Sequence, residues 1–332
     1  RHVLARIEVM SECFFGSFSG TIPPSLSNIS KLETLNLDFN FLRGKIPQDI
    51  GNLHNLKVLS MGGNQLSGII PPTVFNISSL QSIVFAINSL TGILPMDTCY
   101  RLSKLERLHL SVNKLYGQIP SSLHQCSKLQ ILYLSYNKFS GPIPREIGNL
   151  TTLKQLALGG NNFRGEIPQE MGNLLSLELL AMENARLTGL IPSSIFNITS
   201  LTMLYFHLNN LTGVLPQEIG NLRNLEQLIL DYNSLRGPIP EAIFNISKLK
   251  LISIVGNHLS GSLPSSIGLR VLNLEGLYLG LNNLSGLIPD CISNASKLSH
   301  LDLYSNQFTG SIPNSLGNLR LLEILGLGRN NF

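Results

Sequence analysis

The stretch from Leu32 to Pro47 reads LETLNLDFNFLRGKIP, and its skeleton L-x-x-L-x-L-x-x-N-x-L-x-G-x-I-P recurs along almost the whole chain. The asparagine of the skeleton returns at Asn64, Asn88 and Asn113 and continues to Asn330, at intervals of about 24 residues. A fixed period of this length indicates stacked copies of one supersecondary unit rather than separate globular domains. The 332 residues are therefore predicted to form one elongated domain.

Each part of the unit has a physical reason. Leu35 and Leu37 alternate with polar residues, which predicts a strand with one buried face. Asn40 follows where the chain must turn, and its amide can bond the backbone groups freed at the bend, forming a ladder from coil to coil. Gly44 permits the next turn, and Pro47 begins an outer segment too short for a long helix, for which a 3₁₀ turn is predicted. The pattern predicts an α/β repeat solenoid, a curved right-handed leucine-rich-repeat superhelix with a concave parallel β-sheet and convex 3₁₀ turns.

The repeats divide the single domain into three parts. Residues 1–31 hold a degenerate first repeat, in which Gly16 stands at the ladder position and Glu8, Ser11 and Cys13 belong to the strand half. Residues 32–321 are regular repeats of 24–25 residues, and residues 322–332 are a truncated last repeat. Neither end shows the polar cap that terminal repeats need, so we expect a piece of a longer protein.

Three coils depart from the regular pattern. One extra residue enters between residues 96 and 102 and another around residues 268–272, and both are expected to bulge on the convex side. Ala185 stands where the ladder asparagine is expected, which predicts a bound water or a shifted loop. No long insertion interrupts the stack.

Composition excludes several classes of function. The chain has 24 basic and 20 acidic residues and a net charge of +4, without a basic run, so nucleic-acid binding is not expected. No apolar run is long enough to span a membrane, and we expect no membrane contact by this segment. No nucleophile elbow, phosphate-binding loop or metalloprotease motif is present, so no catalytic residue, metal or cofactor is predicted and the segment is not expected to be an enzyme.

The cysteines give no metal or redox spacing. Cys126 occupies a core position of the repeat, and Cys99 and Cys291 lie in outer segments. We predict that they are small buried or convex-side packing residues rather than redox or metal-binding groups.

Binding is better supported than catalysis. The strand positions between the leucines project from the concave sheet, and the curvature of such a sheet makes it a docking surface. Large polar and aromatic residues occupy these positions in three groups, namely Arg107, His109, Tyr133 and Tyr136, then Glu183, Tyr205, His207, Asp231 and Tyr232, and finally Tyr278, His300, Asp302 and Tyr304. Tyrosine offers a large contact area with a polar tip and is enriched at binding sites. The alternative is that tyrosine is here for its strand propensity alone.

Eight N-x-[S/T] sequons predict N-glycosylation and secretion. They begin at Asn28, Asn76, Asn149, Asn197, Asn210, Asn245, Asn283 and Asn294. Six of them lie eight residues after the motif glycine, where asparagine also occurs without a sequon, for example at Asn52. The asparagine itself is therefore partly structural, but glycans at this position would leave the concave face free.

The second half of the motif, L-x-G-x-I-P, together with outer segments such as Ile195–Ile198, closely resembles plant-type leucine-rich repeats over residues 18–332. The local sequences of residues 94–99 (LPMDTC) and 122–128 (SLHQCSK) are similar to those in ectodomains of receptor-like serine/threonine kinases. The similarity is greatest to the subfamily of the flagellin and elongation-factor receptors of plant immunity. The resemblance implies a second strand in each coil and a single-pass receptor at the extracellular face of the plasma membrane, with a kinase outside this chain. It also implies a peptide or protein ligand and a possible co-receptor kinase, in defence or developmental signalling.

The sequence also departs from this family. The N-terminal module with paired cysteines and tryptophan is absent, and Arg107-Leu-His109 only partly echoes the Arg-x-Arg pair that some relatives use for a peptide carboxylate. Three alternatives stay open at this point. One is a secreted inhibitor of a pathogen cell-wall hydrolase, and another is a receptor-like protein without a kinase. The third is a purely structural scaffold, in which changing the concave tyrosines would cost no binding.

Overall fold

The structure, a computed structural model, describes residues 16–332, so the predicted strand half at Glu8, Ser11 and Cys13 lies outside the described residues. Within these residues the largest sheet has thirteen parallel strands, one from each coil after the degenerate first one, in sequence order. The strands of this concave sheet are Thr34–Asn36, Val58–Ser60, Ser82–Val84, Arg107–His109, Ile131–Tyr133, Gln155–Ala157, Leu179–Ala181, Met203–Tyr205, Gln227–Ile229, Leu251–Ser253, Gly276–Tyr278, His300–Asp302 and Ile324–Gly326. Each pairs in register with the equivalent residues of the next coil, as Leu35 does with Leu59.

A second strand follows the ladder position in each described coil except the last and forms the flank of the solenoid. Seven of these strands make one parallel sheet and six make another. The first sheet contains Ser19–Gly20, Phe41–Gly44, Gln65–Ile69, Ser89–Gly92, Lys114–Gly117, Lys138–Gly141 and Asn162–Phe163. The second contains Thr188–Leu190, Asn210–Val214, Ser234–Gly237, His258–Ser262, Asn283–Gly286 and Gln307–Phe308.

Short 3₁₀ helices form the convex side, and the residues described contain no α-helix. They are Pro24–Asn28, Gln48–Asn52, Pro72–Asn76, Ser121–Gln125, Arg145–Asn149, Gln169–Asn173, Ser193–Asn197, Gln217–Asn221, Glu241–Asn245, Asp290–Asn294 and Asn314–Asn318. The two coils with an extra residue have irregular turns here instead of a 3₁₀ helix, which confirms the predicted convex departures. Within residues 16–332 no helix has the length and apolar character that crossing a membrane requires.

One continuous core runs through the stack. Leu56, Leu59 and Leu66 of one coil are fully buried, and the equivalent residues of the following coils repeat this pattern. A single coil could not bury these side chains, so its stability comes from its neighbours. This arrangement confirms the predicted fold class.

The predicted asparagine ladder is present, and Asn64 shows how it works. Its Nδ2 donates to the carbonyls of Met61 and Gly62 in its own turn and to that of Leu37 in the preceding coil, at 2.9–3.1 Å. Its Oδ1 accepts the N–H of Leu42, also in the preceding coil, at 3.0 Å. One side chain thus provides hydrogen-bond partners for four backbone groups at the bend, where strand pairing in the two sheets provides none.

The coil at Ala185 lacks this side chain, and the structure shows the shifted loop. Arg186 takes a left-handed conformation with φ 59° in addition to Asn184, whereas in regular coils only the residue just before the ladder position and the motif glycine are left-handed. The Ala185 N–H donates to Asn209 Oδ1 of the next coil at 3.0 Å. The flank is interrupted at the same coil, where an isolated bridge between Glu166 and Thr188 replaces a strand pair.

The prediction for the cysteines was wrong in one respect. Cys99 and Cys126 are buried, as expected, but they form a disulfide between neighbouring coils, with Cα atoms 5.1 Å apart. The bond anchors the irregular turn at 96–102 to the regular coil that follows. Cys291 is a free thiol, half-buried, and its Sγ lies 2.9 Å from the Ser265 carbonyl oxygen.

Candidate functional site

All thirteen residues predicted for ligand binding lie on the concave sheet or in the turn that directly follows its strands. Residues such as His109, Tyr133 and Tyr205 end the short strands, whereas Glu183 and His207 lie two residues before the ladder position. Because equivalent positions of successive coils pair in register, each motif position forms a row along the concave face. The three groups therefore lie one after another on a single surface.

The first group is held together by ring contacts. His109 pairs with Tyr133 in the strand ladder, and their rings meet edge to face with centroids 5.0 Å apart. Burial, with a smaller contribution from the Arg107 charge, lowers the pKa of His109 to about 4. His109 is therefore neutral at neutral pH, and Arg107, which is exposed, carries the positive charge of this group.

Glu183 is the most deeply placed of the thirteen residues, with 6% of its surface exposed. It reaches back over Gly159 and shares a hydrogen bond with the Tyr136 side chain, which itself lies over Gly160. The oxygen Oε2 has no hydrogen-bond partner. Burial raises the pKa of Glu183, and burial together with the Glu183 charge raises the pKa of Tyr136 to about 12.

His207 and Asp231 continue the row of Glu183 through the next two coils. His207 Nδ1 is buried without a partner, and burial lowers the pKa of this imidazole. Asp231 Oδ1 accepts hydrogen bonds from Ser253 Oγ at 2.7 Å and the Val255 N–H at 2.8 Å, while burial raises its pKa. We call Glu183, His207 and Asp231 the central row. It contains two carboxylates and no cation.

Two tyrosines at strand ends, one in the first group and one beside the central row, form the same kind of contact with the next coil. Tyr205 Oη donates to Gln227 Oε1 at 2.6 Å, and Tyr133 Oη donates to Gln155 Oε1. Each glutamine precedes its strand leucine and lies diagonally ahead of the tyrosine. The hydrogen bonds fix the rings in place, which lowers the entropy that a ligand contact would cost.

The third group is looser. The rings of Tyr278 and His300 are tilted by 37° with centroids 5.9 Å apart, and burial followed by the Asp302 charge raises the pKa of Tyr278. Tyr304 lies under the guanidinium of Arg329, 5.5 Å from ring centroid to Cζ. A cation–π contact of this kind covers one face of the ring.

The sequence reasoning missed the residues that hold these side chains. They are Gln155, Gln227, Ser253 and Arg329. The signal was available, because each lies in the coil that follows its partner, at or next to a projecting position. Among the described residues, no three His, Cys, Asp or Glu side chains are grouped so that they could hold a metal ion.

The eight sequon asparagines are all exposed. Six of them are the last residues of 3₁₀ helices on the convex side, namely Asn28, Asn76, Asn149, Asn197, Asn245 and Asn294. Asn210 and Asn283 begin strands of the flank. None lies on the concave sheet.

Comparison with known families identifies the repeats. A leucine-rich repeat region model matches residues 110–257, a leucine rich repeat model matches 272–332, and a further Leucine Rich Repeat model matches 31–53 and 55–77. Together these matches cover more than half of the chain. No curated protein matches the sequence.

Solved structures of plant receptors have the same architecture. The plant peptide hormone receptor RGFR1, in complex with RGF2, is 38% identical with a TM-score of 0.91, over 94% of this chain and 50% of the receptor chain. The ectodomain of the Arabidopsis thaliana membrane receptor kinase GASSHO1/SCHENGEN3, in complex with CASPARIAN STRIP INTEGRITY FACTOR 2, is 34% identical with a TM-score of 0.82, over 95% of this chain and 41% of that chain.

The Arabidopsis receptor kinase HAESA, in complex with the peptide hormone IDA and the co-receptor SERK1, is 31% identical with a TM-score of 0.73, over 94% of this chain and 60% of that chain. The chain thus spans about half the length of the receptors it matches. Its coils have the architecture of plant leucine-rich-repeat receptor ectodomains that bind peptide hormones.

Proposed function

Because this chain belongs to the leucine-rich-repeat proteins, we propose that it is the ligand-recognition segment of a plant cell-surface receptor kinase and binds a peptide or protein ligand on its concave face. The parent protein is then a single-pass membrane glycoprotein, with this segment outside the cell. We further propose that the parent protein belongs to the flagellin and elongation-factor receptor subfamily and acts in defence or developmental signalling. In this proposal it also recruits a co-receptor kinase. The complex of HAESA with SERK1 supports the last of these by similarity.

The observation that carries the proposal is the central row with its tyrosines. Glu183 keeps a buried carboxylate oxygen without a partner, which costs free energy that a neutral or smaller residue would not cost. The hydrogen-bonded ring of Tyr205 and the exposed ring of Tyr232 flank this row. Strong polar groups beside fixed aromatic rings are typical of surfaces that bind a partner.

The proposal is tested by selecting peptides from a displayed random library on the 332-residue chain. The selected peptides are then measured against the double variant Tyr205→Ala with Tyr232→Ala. The matched control is Tyr100→Ala with Tyr116→Ala, two tyrosines off the concave sheet that are exposed by 78% and 52%.

We expect the concave pair to weaken binding by tenfold or more, about 1.4 kcal/mol, while the melting temperature changes little. The control pair should leave binding unchanged. Equal losses of binding in both double variants, or binding lost only together with the fold, would contradict the concave site.

A further inference from the structure

A groove of about 430 Å³ lies on the convex side between two neighbouring coils. Its walls come from the 3₁₀ helix Pro72–Asn76 and from the irregular turn of the next coil, and include Pro72, Phe75, Asn76, Asp97, Tyr100 and Arg101. The volume falls within the range of roughly 300–1,000 Å³ that is usual for small-molecule sites. The walls combine apolar rings with an acidic and a basic side chain.

One wall of this groove is the irregular turn of the coil that contains an extra residue. Residues 96–100 form a turn rather than a 3₁₀ helix, with the Tyr100 N–H donating to the Asp97 carbonyl at 2.9 Å. The Cys99–Cys126 disulfide holds the turn on the following coil. Tyr100 is therefore fixed at its backbone while 78% of its surface is exposed, the largest exposed fraction of the described large hydrophobic residues.

Asn76 is itself a wall of the groove and begins the sequon Asn76-Ile77-Ser78. The repeat places Tyr100 of the next coil beside the Phe75–Asn76 pair. Tyr100 lies eight residues after the motif glycine of its coil, and at this place in the coils that follow the other five sequons of this type there is a residue without a ring, namely Asn52, Asn173, Asn221, Leu269 and Asn318. Of the six, Asn76 is thus the sequon with an aromatic platform next to it.

We propose that Asn76 carries an N-linked glycan whose innermost N-acetylglucosamine lies in this groove against the Tyr100 ring. The apolar face of the sugar ring packs on the aromatic face, and its hydroxyl and acetamido groups meet the Asp97 carboxylate and the Arg101 guanidinium. In forming the bond, Asn76 Nδ2 loses a proton and displaces the diphosphate from the anomeric carbon of an activated oligosaccharide, a reaction of the secretory pathway. The inference rests on the proposed extracellular location.

The test uses the 332-residue chain secreted from plant cells. A peptide N-glycosidase is applied to the folded protein, and release at each sequon is followed over time by mass spectrometry of the resulting Asp-containing peptides. The variants are Tyr100→Ala, Tyr100→Phe, which keeps the ring, and Tyr116→Ala, which removes an exposed tyrosine of the flank.

We expect the enzyme to release the glycan at Asn76 about tenfold more slowly than those at Asn149 and Asn197. A tenfold ratio corresponds to about 1.4 kcal/mol, which is within the free energy that one aromatic contact can contribute. Tyr100→Ala should bring the Asn76 rate to that of the other sites, while Tyr100→Phe and Tyr116→Ala should keep it slow. Equal rates at Asn76 in the wild type and in Tyr100→Ala overturn the inference.

An unmodified Asn76 beside modified Asn149 and Asn197 also overturns the inference, and it would point to another occupant of the groove. In both cases the glycans at the other sites leave the proposed extracellular function intact. A secreted chain without glycan at any sequon overturns the inference together with the glycoprotein part of that function.

Discussion

The Glu183 carboxyl group lies over Gly159 of the preceding coil, where a Cβ added to the glycine would come 2.3 Å from Glu183 Cδ. A side chain from one coil thus fills the space left open by the glycine of the coil before it. The absence of a side chain at position 159 is what allows Glu183 to be buried beside Tyr136.

Gly159→Ala is therefore expected to displace the Glu183 carboxyl group into water without damaging the fold, because the atoms it meets are the free end of a side chain. Burial raises the pKa of Glu183, so the displacement should lower that pKa towards its ordinary value. NMR titration of the Glu183 side chain measures this change, with the melting temperature as the control for folding. An unchanged Glu183 pKa in the folded variant would contradict the contact.

His109 should make the chain less stable in acid. Its pKa is lowered to about 4 in the folded state, whereas the unfolded chain takes up the proton near pH 6.5. The unfolded state therefore binds more protons between these values, and stability falls as the pH falls from 6.5 towards 4, by about 1–3 kcal/mol. His109→Phe keeps a ring against Tyr133 and removes this proton.

The measurement is the melting temperature of the wild type and of His109→Phe between pH 7.5 and pH 4.5. The wild type should lose more stability than the variant over this range. Two profiles that run parallel would show that His109 is protonated as easily in the folded chain as in the unfolded one.

Replacing the ladder asparagine Asn209 should lower the free energy of unfolding more than replacing a ladder asparagine of a regular coil nearby. Asn209 Oδ1 accepts two N–H groups, from Ala185 and Leu187, both at 3.0 Å. Asn161 Oδ1 accepts the Phe139 N–H at 3.0 Å, and both asparagines donate three bonds from Nδ2. Asn209→Ala leaves one more buried backbone group without a partner than Asn161→Ala does.

At about 1–3 kcal/mol for such a group, Asn209→Ala should lower the free energy of unfolding by correspondingly more than Asn161→Ala. Denaturant unfolding of both variants checks the order. A larger loss in Asn161→Ala would mean that the shifted loop at Ala185 does not depend on Asn209.

Removing the Cys99–Cys126 disulfide should destabilise the chain by about 2–4 kcal/mol, because the bond restricts the unfolded state. Cys99→Ala with Cys126→Ala is compared with Cys291→Ala, which removes a free thiol and should have a small effect. Alkylation before reduction should modify Cys291 and spare Cys99 and Cys126. Modification of Cys99 without reductant would exclude the disulfide.

The sequence predicts the regular part of this molecule well, because each coil repeats the same local solution. Leu35 and Leu37 indicate the strand, Asn40 the ladder and Pro47 the 3₁₀ helix, and stacking reproduces these features in register. The same regularity places the thirteen predicted residues on one face. Whether they bind a ligand stays a prediction.

Contacts between coils at irregular positions were not predictable in this way. Cys99 lies in a coil with an extra residue, so the period alone does not bring it next to Cys126. The burial of Glu183 depends on the small residue at 159 and on the direction in which one flexible side chain turns. Both depend on three-dimensional packing that a linear pattern does not contain.

The interruption of the flank at the coil of Ala185 also has a mechanical meaning. The inner sheet runs unbroken through thirteen strands, while the flank is divided into seven strands and six, joined by the Glu166–Thr188 bridge. The solenoid is therefore held by continuous strand pairing along the concave side but not along the flank, so we expect bending that opens the flank to concentrate at this coil. A partner bound to the concave face from Tyr133 to Tyr232 would span this coil and restrict the bending.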